Sequence, residues 1–154
     1  MKTIDIYEYM AVLKEILAMD RDVNLRVSGW SMTPFLADKR DIIIISPKTE
    51  TLKRGDMVFY QRKNGQYIMH RIHHIDENGA LYIVGDAHTE IEGPVDAQQV
   101  FGVVKKVIRK GKLIDEKDFW WKFFEKVWIR MVPLRPVFRK AYEWLKKDKE
   151  SRNE

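Results

Sequence analysis

Asp56-Met57-Val58-Phe59-Tyr60-Gln61-Arg62-Lys63-Asn64-Gly65-Gln66-Tyr67-Ile68-Met69-His70-Arg71-Ile72-His73-His74 is the stretch that decides the fold class. Runs rich in β-branched and aromatic residues flank Asn64-Gly65, a dipeptide suited to the positive φ angles of a tight hairpin turn. The spacing predicts strands over 56–63 and 66–74. Working outward, the same short β-type runs recur over 23–28, 41–46, 80–85 and 100–110, and Glu77-Asn78-Gly79 marks a second reversal. The expected fold is mainly β with flanking helices: a small, coiled antiparallel sheet or partial barrel.

The period changes at both ends. Over 3–20, Ile6, Met10, Leu13 and Leu17 recur at three- and four-residue steps, which predicts a helix. After Gly111, Trp120, Phe124, Val127, Trp128 and Met131 form an apolar stripe beside Lys122, Lys126 and Arg130. Pro133 and Pro136 are expected to interrupt this helix, since each lacks an N–H and restricts the preceding residue. A second amphipathic segment follows, with Val137, Ala141, Trp144 and Leu145 set against Arg139, Lys140, Glu143, Lys146 and Lys147, and fraying is expected over 148–154. The chain thus divides into an N-terminal helix (1–22), a β domain (23–114) and a C-terminal aromatic and basic helical segment (115–154).

The chain has 154 residues, enough for one domain with a real core, and no cysteine, which excludes disulfides, thiolate metal sites and a cysteine nucleophile. No run approaches the roughly 18 to 20 apolar residues that cross a bilayer, and the N-terminus, with Asp5 and Glu8 in its apolar stretch, is not a secretory signal. The expected location is the cytoplasm, free or peripheral at the cytoplasmic face of the membrane. Nucleic acid is not an expected partner of this +5 chain, because acidic residues are interspersed with the basic ones and no recognition motif accompanies them.

Ser28-Gly29-Trp30-Ser31-Met32-Thr33-Pro34 follows a predicted strand. A serine in such a tight turn presents its hydroxyl outward while nearby N–H groups can converge on an oxyanion; the alternative is a plain loop. His70 shares a strand face with Ile68 and Ile72, while Arg71 and His73 point the other way. An inward, partly desolvated and neutral imidazole is the form that accepts a serine proton; the alternative is a core histidine bonded to a carbonyl. His70, His73, His74 and His88 do not have ligand spacing, and neither a metal site nor a cofactor is expected. In Gly85-Asp86-Ala87-His88-Thr89-Glu90-Ile91-Glu92, Asp86 either orients a histidine or caps a turn.

The serine box, Leu52-Lys53-Arg54-Gly55-Asp56-Met57-Val58, His70-Arg71-Ile72 and Gly85-Asp86-Ala87 occur in the order seen in the signal peptidase I and LexA-repressor superfamily of serine peptidases, which the chain resembles over roughly residues 23 to 109. The resemblance implies a β-fold of that type, with Ser31 as nucleophile, its own N–H forming the oxyanion hole with help from Ser28, and His70 at the base position. Histidine there, followed by arginine, is similar to the archaeal and endoplasmic-reticulum signal peptidases. Asp86 and Glu92 are then the candidate acids, with glutamate at 92 where aspartate is usual, and either one orients His70. Met32 and Phe35, beside Leu36, are the expected substrate-binding residues.

The resemblance therefore implies a serine endopeptidase that processes a small precursor or leader peptide. A catalytically inactive peptide-binding or accessory module on the same fold is the alternative. Self-cleavage of the repressor kind is not expected, since no Ala-Gly or Cys-Gly pair occurs. Trp120, Trp121, Trp128 and Trp144, with the neighbouring lysines and arginines, form either a helical cap on the sheet or a peripheral contact with anionic lipid.

Overall fold

The computed structural model describes residues 6–48 and 51–152. The predicted hairpin is present: β3 (Met57–Gln61) and β4 (Tyr67–Ile75) pair antiparallel, with Val58 opposite His70. Gly65 takes φ +92° in the turn, a conformation that favours glycine over residues carrying a Cβ.

Around this hairpin stand β1 (Val23–Arg26), β2 (Asp41–Pro47), β5 (Leu81–Val84), β6 (Glu92–Val95), β7 (Val100–Arg109) and β8 (Lys112–Ile114). Together with the hairpin they form, among the described residues, one eight-stranded antiparallel sheet in the order β1-β2-β7-β3-β4-β5-β6, with β8 folded back on β7. The long strand β7 is central because it pairs with β2 along one edge over 102–109 and with β3 along the other over 100–103. The two ends of the strand order, β1 and β6, are not paired with each other, so the sheet stays open.

Two strands lie outside the predicted set. β6 contains Gly93-Pro94, which resembles a turn in sequence; at a sheet edge the missing N–H of proline breaks no ladder, so the strand persists. β8 is only three residues long and follows a turn in which Lys110 and Gly111 both have positive φ.

Alternation along the strands sends most buried side chains into two apolar clusters, while Val84 packs in a smaller one with Ile129 and Val132. On one side Ile43, Ile45, Met57, Phe59, Val104 and Val107 meet α1 (Ile6–Ala18), which contributes Met10, Leu13 and Leu17. On the other, Val58, Tyr60, Ile72, Ile83 and Val103 pack together, each under 3% exposed. Full burial of side chains of this size stabilises the fold by about 1.5–3 kcal/mol each before entropy is counted. Residues 3–5 of the predicted first helix, and its apolar pattern at Ile6, lie outside the side chains described.

The C-terminal segment differs in detail from expectation. α2 (Phe119–Lys126) is capped by the Asp118 carboxylate, which accepts from Trp121 N–H, and it buries Trp121 and Phe124 against Phe35. A 3-10 stretch, Trp128–Leu134, absorbs Pro133, with Met131 leaving helical geometry. Pro136 breaks nothing: it is the second residue of α3 (Arg135–Arg152), within the first turn where no N–H partner is required. The expected fraying from 148 gives way to helix through Arg152, whose guanidinium lies 3.1 Å from Asp148 one turn back. No helix among the described residues is long and apolar enough to cross a membrane.

Candidate active site

The serine box forms a tight turn at the end of β1. Val27 still pairs with the neighbouring strand, its N–H donating to Asp41 O and its carbonyl accepting from Lys39 N–H. Gly29 then turns the chain, and its N–H donates to Asp38 Oδ1 at 2.8 Å. Thr33 closes the turn by donating from both N–H and Oγ1 to Trp30 O. Met32, Phe35 and Leu36 anchor it from below, each buried to 2% or less. Ser31, between the turn and the anchor, is half-buried at the rim of a cleft of about 620 Å³.

Burial corrects the expected substrate contacts. Met32 and Phe35 belong to the core, and the Phe35 ring is surrounded by Trp121, Phe124 and the guanidinium of Arg71. The cleft takes its apolar lining from Met10 of α1, Leu25 of β1, Val27, and Tyr67 and Met69 of β4 instead. Ser28 lines the same cleft and is exposed.

His70 reaches this cleft from β4. Its face is the one inferred from alternation: Ile68 and Ile72 pack in the same cluster as Val58, the residue directly opposite His70. Burial, reinforced by the nearby ring of His88, pushes the His70 pKa down to about 4, with Glu92 pulling weakly the other way. The imidazole is therefore neutral at neutral pH and able to accept a proton. No hydrogen bond joins it to Ser31 among the described residues; such bonds often tighten only when substrate binds.

Gly85 is the point on which the site converges. A Cβ there would lie 2.7 Å from Ser31 O, 2.8 Å from His88 Nδ1 and 3.1 Å from His70 Nε2. The absence of a side chain thus lets the serine turn, the candidate base and a second histidine close around one backbone atom. The rings of His70 and His88 meet edge to face with centroids 5.3 Å apart. His73 and His74 stand apart from this pair: their Nδ1 atoms are 2.8 Å apart, and His74 stacks on Tyr82.

The candidate acids have other partners. Asp86 accepts from Arg71 Nε and Nη2, both at 2.9 Å, and the two side chains are essentially inaccessible. Glu92, which lies on β6 and not in a loop, accepts from Tyr60 O–H at 2.7 Å and from Arg62. Burial works to raise the Glu92 pKa, but the hydrogen bonds from Arg62 and Tyr60 outweigh it and hold the carboxyl below its ordinary value. Neither carboxylate hydrogen-bonds His70, so the structure brings Ser31, His70 and His88 together and leaves Asp86 and Glu92 in separate ion pairs.

The loop carrying Asp86 and His88 is fixed by groups that the sequence pattern did not single out. Ala87 N–H donates to Ser31 O at 3.0 Å, tying the loop to the serine turn. Trp128 Nε1 donates to Asp86 O at 2.9 Å. Arg135 donates to the carbonyls of Gly85, His88 and Trp128 and lies over the Trp128 ring. The C-terminal tryptophans thus divide: Trp121 fills the core and Trp128 braces the site loop, while Trp120 and Trp144 are exposed. Nothing in the spacing of Trp128 or Arg135 marks this role; only the arginine after His70 carried a signal, through the family resemblance.

Compared with curated proteins and with solved structures, the chain finds no significant match. A family model described as Peptidase S24-like matches residues 2–108, which take in α1 and the sheet as far as Ile108 near the end of β7 and include the serine turn, His70 and the loop at Gly85. The match covers well over half of the chain, which therefore belongs to the Peptidase S24-like family.

Proposed function

We propose that this protein is a serine endopeptidase acting through Ser31 and His70 on a peptide segment, such as that of a small precursor or leader, laid in the cleft. The observation that carries the reading is that Ser31, neutral His70 and His88 line one cleft, with the Ser31 backbone carbonyl and both imidazoles closing on Gly85. Family membership supports it at the level of fold and general chemistry.

In the proposed reaction His70 Nε2 takes the proton of Ser31 Oγ as that oxygen forms a bond to the substrate carbonyl carbon. The oxyanion is received by the Ser31 N–H, with Ser28 assisting. Collapse of the tetrahedral species breaks the C–N bond, and His70 passes its proton to the departing amine. Water, deprotonated by the same imidazole, then hydrolyses the acyl-enzyme and returns Ser31 to its starting state. Burial keeps His70 unprotonated at neutral pH, whereas a carboxylate at its ring would favour the protonated form.

A second reading draws on the ion pairs of Asp86 and Glu92: with no carboxylate hydrogen-bonded to His70, the fold also suits a peptide-binding module without turnover. Incubation with a mixed peptide library and with a fluorophosphonate probe separates the two. The peptidase reading expects time-dependent cleavage and probe labelling that vanish in Ser31→Ala. Peptide binding with neither cleavage nor labelling would establish the module instead.

A further inference from the structure

α3 is the part of the molecule that the site does not use. Apart from Arg135 and half-buried Asp148, its residues are exposed, yet it is strongly amphipathic. At 100° per residue, Val137, Phe138, Ala141, Tyr142, Trp144 and Leu145 share one arc. Tyr142 is 69% exposed, Trp144 68% and Leu145 55%, so most of this aromatic surface faces solvent, with Phe138 touching the Trp128 ring at its root.

From Arg139 to Lys147 the charges lie about that arc and not on it. Lys140 and Lys147, seven residues apart, run along its Trp144 border, and Arg139 and Lys146 run along its Tyr142 border. Glu143 and Glu150 fall on the opposite face, while past Lys147 the apolar arc ends in Asp148, Lys149 and Arg152, with Arg152 paired to Asp148, and over the whole helix cations clearly outnumber carboxylates. A partner protein would offer a pocket for one or two anchors; an apolar strip flanked on both sides by long cationic stems suits a planar surface that is apolar inside and anionic at its boundary.

We infer that α3 is an interfacial helix that lies on anionic lipid, with Tyr142, Trp144 and Leu145 inserted at the headgroup boundary and the flanking lysines and arginines on lipid phosphates. Trp121 and Trp128, committed to the core and to the Asp86 carbonyl, take no part. Because Arg135 ties the root of α3 to the carbonyls of Gly85 and His88, a docked helix also holds the cleft beside the lipid surface. This inference is independent of whether Ser31 is catalytic.

The test is flotation of the full chain with vesicles of phosphatidylcholine alone or of phosphatidylcholine with phosphatidylglycerol. Preferential binding to the anionic vesicles is expected, with a blue shift of tryptophan emission and a steep loss as salt is raised. Trp144→Ala with Leu145→Ala, and separately Lys140→Glu with Lys147→Glu, should each weaken binding by more than about tenfold. All four residues are exposed, so thermal melting of the variants should match the parent. Equal binding to both vesicle types, no binding, or anionic binding untouched by the Trp144 and Leu145 changes would overturn the inference. So would self-association in solution that these same substitutions abolish, which would assign the face to a second copy of the chain.

Discussion

Asp86 meets Arg71 through two parallel hydrogen bonds of 2.9 Å in a site closed to solvent, and the remaining Arg71 nitrogen, Nη1, donates to the carbonyl of Gly55. The pair joins the loop behind the cleft to β4, the strand that carries His70. Removing one member strands a buried charge, which typically costs about 3–5 kcal/mol. Asp86→Ala and Arg71→Ala are therefore each expected to lower the denaturation midpoint, Arg71→Ala the more because it also loses the Gly55 carbonyl and the Phe35 ring, with Asp86→Ala losing activity in step with folded fraction. Urea melts measured beside probe labelling check this; an Asp86→Ala protein of parental stability with labelling abolished would assign Asp86 to the chemistry instead.

In the proposed mechanism His70 sets the acid limit of the reaction. With its pKa pushed to about 4 by burial and by His88, the neutral base persists well below the ordinary histidine value of 6.5. Fluorophosphonate labelling should therefore hold down to about pH 4, and His88→Ala should move the acid limb upward toward 6.5. Histidine ring proton titrations by NMR provide a readout free of catalysis.

The same shift has a stability consequence. Because the folded pKa lies below the ordinary value, the unfolded chain takes up the proton first on acidification. The contribution from neutral His70 is full above about pH 6.5 and is lost as pH falls through about 4; it amounts to about 3 kcal/mol at most. His70→Asn should flatten this part of the pH–stability curve, as followed by melts between pH 4 and 7.

Gly85→Ala tests the close approach. The added methyl would press within 2.7 Å of Ser31 O, which is backbone and cannot swing aside as the rings of His88 and His70 can. A cost of about 1–3 kcal/mol is expected, with a larger fall in labelling rate because the serine turn and His70 are forced apart. Parental kinetics in the variant would show that the three groups do not act as a unit.

Glu92→Gln should be mild. Glu92 and Arg62 are each about one-third exposed, at 35% and 32%, and an ion pair so hydrated contributes under about 1 kcal/mol. The glutamine still accepts from Tyr60 O–H, so the β5–β6 edge is retained. Labelling within about threefold of the parent is expected from the absence of a Glu92–His70 hydrogen bond; a loss of a hundredfold or more would restore Glu92 as the group that orients His70.

The strand pattern was legible wherever alternation met a turn signal. The runs predicted over 56–63 and 66–74 became Met57–Gln61 and Tyr67–Ile75, and the apolar face of His70 followed from the local two-residue period. β6 escaped because Gly93-Pro94 breaks strands in general, whereas an edge position removes the reason. Met32 and Phe35 were misplaced for a related reason: apolar residues beside a reactive serine serve equally as substrate contacts or as the anchor of its turn, and the packing of Trp121 and Phe124 makes them the anchor.

Local patterns, then, were enough to identify a mainly β chain, the serine turn and the inward face of His70, and the order of the motifs carried a resemblance to the LexA and signal peptidase superfamily, with which the S24-like family match agrees. Pairing between distant segments was not written in any local pattern. Arg71 stands opposite Val84 across β4 and β5, which puts Asp86, two residues further along, on the arginine's side of the sheet and away from His70. Trp128 and Arg135 reach the same loop only because the chain after β8 folds back across it. A carboxylate's partner depends on which cation the register delivers to it once both are buried, since in that low-dielectric setting an unpaired charge is too costly to keep.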